Sequence, residues 1–196
     1  MADRSLLETD VVEQLNELSK MAHRGRSNVV NTGPIMTIWG VAIMVAALAE
    51  RLLPYQGYTI AAWTMPVLFA YIASLYAIRL TGSDGRSVTW RSKAIYRMWI
   101  AAGAGIVIFN VGEELRHTAL QSESEAATAL ILSIAALATA ELANRRLLLS
   151  VGIGWLFVGS AAFLVPGDKL LPLLTYAAIM LQILPGIVLI REEWKA

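Results

Sequence analysis

The sequence predicts an all-α integral membrane bundle of six transmembrane helices, with the N- and C-termini cytoplasmic. Three observations predict it: composition, six long apolar segments, and a one-sided distribution of cations. Of 196 residues, 57% are hydrophobic and only 16% are charged, with a mean hydropathy of +0.58. Soluble domains average about 45–50% apolar and about 25% charged. A water-soluble globule of this composition would expose large apolar patches. The polar, acidic start does not resemble a cleavable signal peptide.

The apolar segments span about 34–53, 59–78, 97–112, 126–143, 149–166 and 171–190. A crossing helix needs about 20 mostly apolar residues, with a usual range of about 17–25. The third segment is the shortest. It reaches crossing length when Arg97 or Glu113 sits at the lipid headgroups. Lipid offers no partner for backbone polar groups, so each segment must be a helix or part of a closed barrel. Barrel strands alternate polar and apolar residues; the run AATALILSIAALATA at 126–140 does not.

Orientation follows the bias of Lys and Arg toward cytoplasmic loops. Of 16 Lys and Arg, three (Arg51, Arg116, Lys169) fall on one side of the six spans and the remaining thirteen on the other. A multi-pass protein of the cell inner membrane is the expectation. The cations Arg86, Arg91 and Lys93 precede the third span and are expected to meet anionic lipid headgroups. The opposite loops carry Glu113, Glu114, Glu123, Glu125 and Asp168. The domain organisation is then residues 1–33 as a cytoplasmic amphipathic helix and linker, 34–191 as the membrane domain and 192–196 as a short cytoplasmic tail.

Within the first unit, Leu7, Val11, Leu15 and Leu18 recur at spacings of three and four, which marks one apolar helix face. Ser5 and Glu8 form a capping box, and Gly25 can end the helix in a left-handed conformation. Acids fill its first half, whereas membrane-surface helices carry cations on the polar face. The stripe therefore suits another helix: this bundle, a second copy, or a protein partner. Gly33 and Pro34 fit a turn followed by a helix opening on proline.

Trp39, Trp99 and Trp155 stand near the cytoplasmic end of each odd-numbered span, and Arg79, Arg145 and Arg191 end each even one. Two readings fit: three repeated helical hairpins, or ordinary charge bias with interfacial tryptophans.

Four polar residues fall in or at the edge of spans: Arg97, Asn110, Glu141 and Gln182. A carboxylate within hydrocarbon is costly and faces the bundle interior or a partner. Glu141 is expected to pair with Arg97 on the neighbouring helix, or to lie beside Arg145, its i+4 neighbour. Pro66 and Pro185–Gly186 can kink their helices, and Gln182 could satisfy a backbone group freed by Pro185. Glu113, Glu114 and His117 with Asn110 are weak as a metal set, because they offer one imidazole. Stretches of small residues, at 101–110, 133–140 and 152–162, suit close helix packing.

No catalytic residue is expected. The sequence holds no glycine-rich phosphate loop, no H-E-x-x-H and no G-x-S-x-G, and no Asp lies inside a span. With no cysteines and with His23 and His117 on opposite sides, neither a thiolate site nor a bis-histidine haem is expected, and no cofactor is assigned. A net charge of +1 gives no reason to expect nucleic acid. The expected partners are membrane lipids and a protein or second copy reached through the N-terminal helix. The role is an interaction, accessory or regulatory one. The alternative is a small transporter or channel with a path near Glu141 and the Pro66 and Pro185 kinks.

The order LNELSKMAHRGRSNVVNTGPIMTIWG at 15–40 resembles bacterial inner-membrane proteins that place an amphipathic cytoplasmic helix before a short bundle of spans. The resemblance covers the N-terminal helix, the first span and the basic stretch before the third. It implies a bacterial, non-enzymatic protein and transfers no functional residue.

Overall fold

The computed structural model describes residues 32–52, 58–83, 90–116 and 121–195. All of these are helical except two short connections, 144–145 and 163–166. The helices are α1 (Thr32–Leu52), α2 (Tyr58–Ser83), α3 (Trp90–Arg116), α4 (Gln121–Ala143), α5 (Arg146–Ala162), α6 (Gly167–Ala178) and α7 (Leu184–Lys195). A π-turn, Ile179–Ile183, joins α6 to α7 without a break, so the described residues form six rods. Leu7, Val11, Leu15, Leu18 and Arg86 lie outside the described residues, as does His117.

Four stretches are long and apolar enough to cross a membrane: Thr32–Leu52, Trp90–Gly112, Glu123–Ala143 and Gly167–Glu192. The third helix is not the shortest. It runs 27 residues, because it begins at Trp90 rather than Arg97. The shortest rod is α5, with 17 residues. Gly33 and Pro34 fall inside α1 rather than before it.

Many large apolar side chains are exposed among the described residues. Met65, Phe69, Ile72, Ile108, Ile134 and Phe157 are all more than half exposed. Helices apolar all round belong in a protein core or a membrane, and four of these are long and apolar enough to cross one. The interior is built differently, around four buried indoles, one of them seated on Gly103. Trp39, Trp63, Trp99 and Trp155 are at most 1% exposed. The Trp39 and Trp99 rings meet with centroids 6.1 Å apart and planes tilted by 36°. The three tryptophans of the hairpin pattern are thus packing groups inside the bundle, not anchors at the lipid interface. Trp90 is 68% exposed, with the Arg91 guanidinium 5.8 Å from its ring centroid.

The chain closes on itself through α1 and the last rod. A Cβ at Gly33 would meet the Ile190 backbone at 2.7 Å, and one at Gly40 would meet the Gln182 Cβ at 2.8 Å. Absent side chains let two backbones approach, which is how helices associate without a hydrophobic driving force. Gly152 receives Leu137 and Gly154 receives Leu181 in the same way, whereas nothing lies within 4 Å of Gly112.

The α4–α5 connection is two residues long because Asn144 adopts φ 51°. The Asn144 N–H donates to Glu141 O and the Arg145 N–H to Ala140 O. This is the Schellman arrangement, with asparagine in the left-handed position usually held by glycine. The π-turn has a local cause in Pro185. Proline lacks an N–H and its ring collides with the carbonyl four residues back, which here belongs to Leu181. Widening by one residue relieves the collision, and the Leu184 N–H donates to Ile179 O.

Candidate functional site

One group of interior polar residues lies at the end of the bundle where α1 and α3 finish and α2 and α4 begin; Ser133, Thr139 and Gln182 are buried elsewhere. The Trp63 Nε1 of α2 donates to Glu50 Oε2 of α1 over 2.7 Å. The Ser124 hydroxyl of α4 donates to Asn110 Oδ1 of α3 over 2.6 Å, and Asn110 Nδ2 donates to its own helix at Ile106 O over 2.8 Å. Glu125 follows Ser124 and is 2% exposed, and the Glu50 carboxylate is close enough to act on it electrostatically. Four helices therefore contribute to one polar layer.

That layer is incompletely satisfied. Glu125 Oε2 and the hydroxyl of Thr128, one turn further along α4, are buried without a hydrogen-bond partner among the described residues. Most buried polar groups in folded proteins find a partner. An unpaired buried carboxylate oxygen is among the most costly exceptions.

Glu125 is the residue that sequence reasoning missed. By sequence it reads as a loop acid, because the apolar run starts at Ala126. The structure places it on the inward face of α4, in line with Ala129, Leu132 and Ala136, all buried. Its spacing of 4, 7 and 11 residues to those positions was the available signal.

Glu141 is exposed, as is Arg97, and the two do not pair. The ion pair at that end joins Arg145 to Glu192 over 3.0 Å, so Arg145 holds the C-terminal helix rather than its i+4 neighbour. Glu141 lies in the last turn of its helix, where its side chain reaches past the apolar surface and needs no buried partner. Arg91 and Lys93 are exposed on the first turn of α3, not in a loop. Cations oppose the dipole at a helix N-terminus, so helix stability does not explain them.

Gln182 is fully buried in the π-turn, but it caps no freed carbonyl. Neither Nε2 nor Oε1 has a partner among the described residues. Asn110, 6% exposed, is bound up with Ser124 and its own helix. Among the described residues no group of three or more His, Asp or Glu could hold a metal ion.

Comparison with protein-family models, with curated proteins and with solved structures finds no match to this chain.

Proposed function

We propose that the chain is a non-enzymatic protein of the bacterial inner membrane, crossing six times with both termini cytoplasmic. Its role is to bind or regulate a partner through the amphipathic segment 5–24 and the basic stretch before α3. One observation carries the choice over transport: Trp39 is packed between α1 and α3 on Gly103 and against Trp99. Elsewhere α1 meets α7 closely at Gly33 and the π-turn at Gly40. A transport path would need polar groups from several helices converging at this depth. The polar layer instead lies at the Glu50 end, and Glu141 faces outward at the other.

The test is affinity purification in mild detergent of the full chain and of a form lacking residues 1–31. Loss of co-purifying proteins on deletion is the expected result. An unchanged set contradicts the docking role. The transporter reading keeps one point in its favour, the unpartnered Gln182 amide beside Pro185. Uptake or efflux that is abolished by Gln182→Leu would establish it.

A further inference from the structure

We propose that one exposed face of α3 holds a single anionic phospholipid, with Lys93 and Arg97 on its phosphate and Ala101, Ala104 and Ile108 under an acyl chain. The site is separate from the docking role. It requires α3 to cross a membrane, which thiol labelling tests apart from lipid binding.

Trp90, Lys93, Arg97, Ala101, Ala104 and Ile108 are all exposed. Their spacings of three and four place them on one side of the helix, within about 80° of arc at 3.6 residues per turn. The buried residues Ile95, Trp99, Gly103 and Ile106 lie on the other side. Arg91 falls outside the stripe, about 120° around the helix from Arg97, and its guanidinium meets the Trp90 ring instead.

Depth follows from the neighbouring helix. The Trp99 Nε1 donates to Thr139 Oγ1 over 3.1 Å, which sets α3 in register against α4. Four residues of α4 follow Thr139, whereas nine residues of α3 precede Trp99. At about 1.5 Å per residue, the start of α3 projects about 7 Å past the Asn144 turn. Lys93 is then level with that turn, and Arg97 is level with Glu141, about one turn deeper. Arg97 and Glu141 each stand two residues from the bonded pair, about 200° around their helices. They therefore face away from one another, and they do not pair.

Charge and length select the occupant. Two cations one turn apart repel, and a cation near the start of a helix opposes its dipole. A phosphate between Lys93 and Arg97 relieves both costs. Beyond Arg97 the stripe is apolar as far as Ile108, about 16 Å away. That is close to the half-thickness of a bilayer's hydrocarbon, about 15 Å. Alanine at 101 and 104 leaves room for an acyl chain against the helix. A soluble anion would use the cations but not the apolar length. A second copy docked by two-fold symmetry would bring the same patch to the face, setting cation against cation.

The experiment is native mass spectrometry of the full chain in detergent, titrated with phosphatidylglycerol or with phosphatidylcholine of the same acyl chains. Wild type should bind one phosphatidylglycerol at least about tenfold more tightly than phosphatidylcholine. Lys93→Gln and Arg97→Gln should each weaken phosphatidylglycerol about fivefold and leave phosphatidylcholine unchanged. Ala104→Phe, or Ala101→Phe should the first fail to fold, should weaken both lipids. Arg146→Gln removes another exposed cation of the same end and should change neither. Equal binding of the two lipids by wild type overturns the proposal. So does an equal loss from Arg146→Gln and Arg97→Gln, which would mean diffuse charge attraction. A dimer peak lost in Arg97→Gln would put a second copy on the face, and displacement of the lipid by glycerol phosphate would reduce the site to the phosphate alone; either result also overturns it.

Discussion

The Trp39 indole of α1 lies directly on Gly103 of α3, with no side chain between ring and backbone. A methyl group at position 103 would occupy the space of the ring. Gly103→Ala should therefore destabilise by about 1–3 kcal/mol, the usual cost of overpacking a filled core. Gly112→Ala is the control, because nothing lies within 4 Å of a Cβ there. Melting in detergent checks both. Equal midpoints for the two variants would mean that the indole is not seated on Gly103.

The Trp63–Glu50 hydrogen bond ties α2 to α1 at 2.7 Å. A bond to a carboxylate contributes about 1.5–3 kcal/mol, so Trp63→Phe should cost at least that much. A double-mutant cycle with Glu50→Gln isolates the pair from the lost packing of the larger ring. Coupling below about 0.5 kcal/mol would contradict the bond.

Gln182 offers a prediction of opposite sign. Burying an amide without partners costs about 1–3 kcal/mol by mutational measures, and both polar atoms of Gln182 are in that state. Gln182→Leu, close in volume, should leave the midpoint unchanged or raise it. A marked fall would show that the amide binds something the apolar side chain cannot.

The Arg145–Glu192 ion pair is partly open to solvent, with side chains 33% and 52% exposed. Exposed pairs contribute about 0–1 kcal/mol and weaken with salt. Glu192→Gln should change the midpoint only slightly, and less at high salt. A large, salt-independent loss would mean that the pair is buried by lipid or a partner.

How much of this was legible in the sequence depends on which physical signal each feature leaves. The rods are legible because apolar runs are compositional: four reach crossing length, and Ala61–Ala77 and Arg146–Ala162 are apolar but shorter. Rod ends were less visible. Trp90, Arg91 and Lys93 read as loop because charge hides a helical turn that has only begun. The inward face was hardest, since in a helix apolar all round nothing distinguishes the lipid side from the core. Trp39, Trp99 and Trp155 therefore looked like interfacial residues, and Glu125 like a loop acid. Glu141 drew attention because it stands alone among apolar residues. Its position in the closing turn before Asn144 lets it face outward, which only the backbone path reveals.

The central claim is that all six rods cross a bilayer, and the absence of cysteine from the chain makes it directly measurable. Single substitutions Arg51→Cys, Lys93→Cys, Glu123→Cys, Arg146→Cys and Asp168→Cys place one thiol at each successive end, all at exposed residues. A membrane-impermeant thiol reagent applied to intact cells should label positions 51, 123 and 168, and reach 93 and 146 only after permeabilisation. Labelling of 93 or 146 in intact cells, or protection of 51, 123 or 168, would contradict the six-span bundle.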